Sequence, residues 1–262
     1  MRQQRKVNIL LYLISIMVIF PVGFMIIYSF SGDNIISLVP KNITLNNWRE
    51  VFLRDPGYLI KFWKSIIWIG MGTIGQVLVS IFGGIAFAKY EFPGKREIYF
   101  VLLVLMMMPV QVTLVPNYFI FNEMNLLGTW WALVLPIVFL PFGTVFLAQV
   151  IRKIPDEILE AARLDGAGTL KLCFNIVVPF TKSGIASLAV LTYIDSWNMV
   201  EQPMVFLNNP SQYPLSVFLA SISIEKFGTA FVCGILALLP VTLLYLYFKD
   251  ELQDGLTFLG VK

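Results

Sequence analysis

Asp195 is the one charged residue within an otherwise apolar run, Ser183 to Val200, which reads SGIASLAVLTYIDSWNMV. Tyr193, Trp197 and Asn198 stand close to it. A carboxylate, a carboxamide and aromatic rings would suit a sugar, whose hydroxyls need polar partners and whose ring face stacks on an aromatic. A plainer reading stands beside it: Asp195 lies near a helix end and is solvated, or pairs with a Lys or Arg of a neighbouring subunit. Gln76, Gln111 and Asn117 are further polar side chains in apolar runs and further candidates for a substrate path. Catalysis has less to draw on. The sequence has no histidine, which removes His-based acid–base chemistry, Ser-His-Asp triads and His metal sites. Cys173 and Cys233 are lone and far apart, so they form neither a disulfide framework nor a metal site. Gly94-Lys95 is followed by Arg96 and lacks the frame of a phosphate-binding loop. The expectation is no catalytic residue, no metal site and no cofactor bound by this chain.

These side chains need a scaffold, and composition says which kind. Of 262 residues, 58% are hydrophobic and only 13% charged, with a mean hydropathy of +0.78. Soluble domains carry about 25% charged residues, and disordered chains are far less apolar than this one. The net charge of +3 is too mild to argue for nucleic acid. A bilayer span needs roughly 20 mainly apolar residues. Charge-free runs of that length are Val7 to Gly32, Ser65 to Ala88, Ile98 to Asn122, Met124 to Ile151 and Phe227 to Phe248. The run around Asp195 is a sixth. The predicted fold is an all-α membrane protein, one domain over 1–262, with spans at about 7–30, 65–88, 98–121, 126–150, 184–200 and 227–248. Leu215 to Ile224 is expected to be a short interfacial or re-entrant helix. The basic start MRQQRK precedes an apolar run longer than a signal-peptide core, with no A-x-A site after it, so a retained first helix is expected.

With six spans both termini share a side. If that side is cytoplasmic, thirteen Lys and Arg residues lie inside and six outside, the latter being Lys41, Arg49, Arg54, Lys61, Lys64 and Lys226. The bias favours both termini inside. Counted from Ser183, Asp195 is twelve residues along its span, about 18 Å at 1.5 Å per residue, in the outer half. Pro109, Pro116, Pro136, Pro141 and Pro240 interrupt predicted spans; they are either ordinary membrane-helix prolines or hinges beside a pathway. Ser80, Gly84 and Ala88 fall four residues apart and form a small-residue face for close helix packing.

The connection 152–182 is too charged to span, yet it is patterned. Pro155, Asp156 and Glu157 suit the first turn of a helix. Ile158, Leu159, Ala161 and Ala162 give that helix an apolar side, and Gly166 is a natural stop. A second helical stretch is expected from about Thr169 to Ile176, ending near Pro179. Taken alone, the segment is a lever joined to a membrane helix, or a capped loop helix lying on lipid headgroups.

Glu160-Ala161-Ala162, three residues, Gly166, nine residues, Ile176, one residue and Val178-Pro179 resembles the EAA loop of bacterial ABC importer permeases. Val178 stands where the pattern prefers Leu. The string EAARLDGAG is similar to the carbohydrate-importer branch. Thr44-Leu45-Asn46-Asn47-Trp48, Phe92-Pro93-Gly94-Lys95-Arg96, Met108-Pro109 and Trp197-Asn198 resemble further family segments. The tail Gly255-Leu256-Thr257 and Gly260-Val261-Lys262 is similar to the maltose-type second permease.

The resemblance implies a multi-pass protein of the bacterial cytoplasmic membrane, pairing with a second permease subunit, in a heterodimer, to form a pore. It implies two separate ATPase subunits, which use ATP and Mg, and an extracytoplasmic solute-binding protein that delivers a sugar or oligosaccharide. It assigns coupling to the ATPase to Glu160, Ala161, Ala162, Arg163, Asp165, Gly166 and Pro179. The loop from Asp33 to Lys64 and the segment Asn208 to Pro214 are expected docking surfaces. The competing reading is a stand-alone secondary transporter with Asp195 as its coupling residue; one acid, six spans and no inverted repeat make a poor self-contained carrier. A membrane enzyme would lack a carboxylate pair or metal cluster in its spans.

Overall fold

The computed structural model describes residues 2–32, 42–54, 57–222 and 227–258. Residues 33–41 and 55–56 of the expected docking loop, Lys226 and the tail Gly260-Val261-Lys262 lie outside the described residues, as does the end of the expected Leu215 to Ile224 helix. Among the described residues the helices are α1 (Arg2–Ser29), α2 (Asn46–Arg49), α3 (Gly57–Lys89), α4 (Lys95–Met107), α5 (Val110–Glu123), α6 (Trp131–Val138), α7 (Pro141–Arg152), α8 (Asp156–Leu164), α9 (Thr169–Leu172), α10 (Val178–Phe180), α11 (Lys182–Trp197), α12 (Glu201–Phe206), α13 (Leu215–Ala220) and α14 (Phe227–Phe258).

Among the described residues, four stretches are long and apolar enough to cross a membrane: Asn8–Ser29, Gly57–Lys89, Trp131–Arg152 and Phe227–Gly255. Two bent pairs bring the number to six if each is one span. The predicted third span is not straight. It breaks between Met107 and Val110, where α4 and α5 meet at 108°. Pro109 has no N–H to give and pushes Met108 into extended backbone (φ −73°, ψ 132°), so the helix cannot run through. Pro116 and Pro240 lie within their helices. The fourth span starts at Trp131 rather than 126, because Asn125 and Gly128 turn the chain with positive φ. The fifth, Lys182–Trp197, meets Thr169–Phe180 at 80°. The stretch expected to end near Pro179 runs on to Phe180, with a π-helical segment at Cys173–Val177. α3 begins earlier than expected, at Gly57, and α14 continues past 248 with non-helical backbone at Phe248.

The chain forms two compact units, Met1–Trp63 with Val217–Pro240, and Lys64–Ser216 with Val241–Lys262. In the first, Phe24 stacks on Tyr28 at 4.4 Å and Phe231 meets both rings edge-on at 6.0 Å. The Asn47 side-chain amide donates to the carbonyls of Ser29 (3.1 Å) and Ser31 (2.7 Å), satisfying the end of α1. A side chain at Gly228 would collide with that amide. The family-like TLNNW segment is thus a clamp on the first helix.

The second unit has a core of Ile81 and Ile85 from α3, Phe146, Leu147, Val150 and Ile151 from α7, Leu159 from α8, and Cys173, Val177 and Leu188 from the segments that follow. The small-residue face of α3 does the packing expected of it. At Gly84 a Cβ would lie 3.1 Å from the backbone nitrogen of Ala148. Ser80 is buried against Gly143, and Ala88 packs on the same core.

Candidate functional site

Two places in the second unit carry the sequence-predicted residues. The first is α8. Pro155 stands just ahead of it, with extended ψ, and Asp156 and Glu157 occupy its first turn, where acids favour the positive end of the helix dipole. Its end is a Schellman motif: the Ala167 N–H donates to the Ala162 carbonyl and the Gly166 N–H to the Arg163 carbonyl, both at 3.0 Å. Gly166 has φ +79°, a backbone that L side chains rarely adopt. One face of α8 is fixed. Leu159 is buried in the core, and Ile158 and Ala162 are half-buried beside it. Ala161 departs from the expected apolar side: with Glu160 it faces outward, as do Arg163 and Leu164, the last 89% exposed. Asp165 is exposed as well, and so is Pro179.

A residue that sequence reasoning missed holds the start of this helix. Lys89, the last residue of α3, has a side chain only 6% exposed; its ammonium bonds the Ile154 carbonyl and the Asp156 carboxylate, the latter at 2.7 Å. Arg152 lies over the Tyr99 ring at 5.0 Å and Arg163 over Tyr90 at 5.6 Å. Three cations therefore tie the two ends of the 152–165 segment to the end of α3 and to α4. The available signal was topological: Lys89 closes the glycine-rich helix, on the same side as the loop in the charge count.

The second place is a cavity of about 640 Å³ where α4 and α5 break apart. Gln111, Asn117, Asp195 and Asn198 all line it, four of the six substrate-path candidates. The other two do not. Trp197 is buried and stacks on Tyr193 at 5.7 Å. Gln76 is fully buried in α3 near Gly143, and its amide has no hydrogen-bond partner among the described residues. Glu201, at the start of α12, is the residue sequence reasoning missed. Both its carboxylate oxygens accept from the Gln111 amide at 2.9 Å. An acid near the start of α12 suits the positive end of the helix dipole, but nothing local points to its partner, ninety positions away. The broken helix ends suit such a place. A proline break leaves backbone groups unpaired, tolerated at membrane depth where the chain lines a cavity, and Leu105, Met106, Met108 and Val110 do line this one.

Residues 80–256, which include α8 and every residue lining the cavity, match the model of the family described as "Binding-protein-dependent transport system inner membrane component". The chain belongs to that family. It is a transport permease subunit of the inner membrane, of a family that is not catalytic. The chain is 27% identical over 261 residues to the arabinooligosaccharides transport system permease protein AraQ of Halalkalibacterium halodurans, covering 95% of this chain and 93% of that one. It is 29% identical over 259 residues to the diacetylchitobiose uptake system permease protein NgcG of Streptomyces coelicolor, covering 95% and 85%. In fold it matches a chain of a bacterial ABC transporter involved in the import of the acidic polysaccharide alginate, with a TM-score of 0.83 at 21% identity over 95% and 96% of the two chains.

Proposed function

We propose that the chain forms half of the translocation pore of an ATP-driven importer for a sugar or oligosaccharide, and that α8 is the element through which ATP hydrolysis acts on it. The observation that carries this reading is the division of α8 into two faces. Leu159 locks one face into the same core as α3 and α7, while Glu160, Ala161 and Leu164 stand exposed on the other. A rigid helix with an anchored face and a free one passes displacement from a docked partner to the helices behind it. Small Ala161 permits close approach, and Leu164 offers apolar area. The partner is a separate ATPase pair that uses ATP and Mg. A second permease subunit, in a heterodimer, completes the pore, and an extracytoplasmic solute-binding protein delivers the substrate. Both termini and α8 are cytoplasmic, in keeping with the thirteen-to-six split of positive charge. The sugar assignment draws on the arabinooligosaccharide and diacetylchitobiose relatives.

Site-directed cross-linking tests the docking. The native Cys173 and Cys233 are buried, so a cysteine placed by Leu164→Cys or Ala161→Cys is the accessible thiol. In the assembled complex each is expected to cross-link to the ATPase and to be shielded from thiol reagents. Free labelling of both positions in a complex that still contains the ATPase would reject α8 as the docking helix.

A further inference from the structure

The proposed pore raises the question of which sugars it accepts, and the charge on the cavity's wall bears on it. Among the described residues lining the cavity are two acids, Asp195 and Glu201, and no lysine or arginine. The other polar side chains there are uncharged: the amides Gln111, Asn117, Asn198 and Gln202 and the hydroxyls Thr113 and Ser196. Two opposing features must be weighed. The N-terminus of α5, at Val110 and Gln111, opens on the cavity, and a helix N-terminus carries about half a positive charge. The six-residue α12 begins at Glu201 itself, so its smaller dipole lies behind that carboxylate. Against these fractions stand two full carboxylates. Gln111 is neutral and orients Glu201 without cancelling it. The balance is about one negative charge or more in a partly enclosed space, where Coulomb interactions are stronger than in bulk water.

We propose that this cavity admits uncharged oligosaccharides and rejects anionic ones, with Asp195 and Glu201 as the charge filter. The inference rests on the permease reading and deepens it. Amides and carboxylates accept and donate hydrogen bonds to hydroxyls and N-acetyl groups, so a neutral sugar finds partners on this wall. A uronate or a phosphosugar brings like charge to it, and like-charge juxtaposition weakens binding steeply. A chain of an importer of the acidic polysaccharide alginate has the same fold, so the fold by itself does not exclude anionic glycans; on this proposal the charge of the wall does. Asp195 was already a substrate-path candidate in the sequence; Glu201 required the fold to bring it back against Gln111.

The test uses the purified complex of both permease subunits and the ATPase pair, without the binding protein, so that the binding protein's own selectivity does not enter. Calorimetric titration would compare N,N′-diacetylchitobiose (neutral), its doubly deacetylated form (cationic) and an alginate disaccharide (anionic), at low and high salt. The neutral and cationic sugars are expected to bind at least about tenfold more tightly than the anionic one, with the gap narrowing at high salt. Asp195→Asn with Glu201→Gln, which keeps shape and hydrogen bonding, is expected to close that gap. Equal binding of the anionic and neutral sugars by the unmodified complex would overturn the charge filter and leave the pore reading intact. Failure of all three sugars to bind an intact complex that hydrolyses ATP would remove the cavity as a substrate site, and the filter with it.

Discussion

Between Asp156 and Gly166 the helix and its stop are set by neighbours in sequence, and distant residues such as Lys89 only anchor it. Acids open the helix, the left-handed glycine closes it, and the Ala162 and Arg163 carbonyls are satisfied from the next few residues. Around the cavity nothing is local. Gln111 meets Glu201 ninety positions away, and the wall is gathered from three separated segments at 105–117, 133–142 and 195–202. On the proposed reading α8 transmits, so it must hold one shape while it is pushed, and contiguous capping supplies that. The cavity would be the permeation site, which must open and close, and broken helices tied by the long-range Gln111–Glu201 contact suit that task. The first kind of site survives as a spaced motif; the second leaves only scattered polar residues in apolar runs.

That contrast can be broken from either side. The largest expected effect is at the clasp on α8. Lys89→Met removes the cation that joins α3 to Ile154 and Asp156, leaving a carbonyl and a carboxylate without it. A hydrogen bond to a charged group contributes about 1.5–3 kcal/mol, reduced here because Asp156 is 75% exposed. Uptake per ATP hydrolysed, measured in liposomes, is expected to fall about tenfold, and the swap Lys89→Asp with Asp156→Lys to recover part of it. Next comes packing. Gly84→Val puts a branched side chain against the Ala148 backbone, where even a Cβ has 3.1 Å; overpacking costs about 1–3 kcal/mol, and a melting curve in detergent should drop by several degrees. Gln111→Ala frees Glu201 without touching α8. The half-saturating sugar concentration for uptake is expected to rise about fivefold, since one such contact is worth about 1 kcal/mol.

The smallest effect belongs to Glu91. Its hydrogen bond from Lys95, and that cation's charge, hold the carboxyl below its usual range. The pair therefore persists as pH falls to the ordinary carboxylate range and is lost only below it. Glu91 is 90% exposed and a glutamine oxygen can still accept from Lys95, so Glu91→Gln should leave melting temperature and uptake unchanged, and a measurable loss of either would show that the α3–α4 turn carries more of the coupling than the clasp alone.

The same contrast explains what the sequence made legible. The six apolar runs, the two-part loop and its glycine stop were readable because each depends on neighbours within one or two turns. The α4–α5 break was foreshadowed by Pro109, but its 108° bend is set by packing that no single residue encodes. Ala161 was assigned to the inward side because it is apolar; register about Leu159 decided otherwise. The partners of Lys89 and Glu201 were out of reach for one reason: each is an ordinary surface-type residue until the fold supplies a partner sixty or more positions away.

The central claim, that α8 transmits the work of ATP hydrolysis, is tested most directly at Gly166. Gly166→Asn can adopt the left-handed backbone and keep the N–H bond to Arg163, whereas Gly166→Pro can do neither. Binding-protein-stimulated ATP hydrolysis and sugar uptake would be measured side by side in liposomes, with assembly and nucleotide binding verified for each variant. The account predicts that the asparagine variant stays coupled while the proline variant, fully assembled, loses both stimulation and uptake. If the proline variant performed as well as the unmodified chain, the shape of α8 would be irrelevant to coupling, and the account would be wrong.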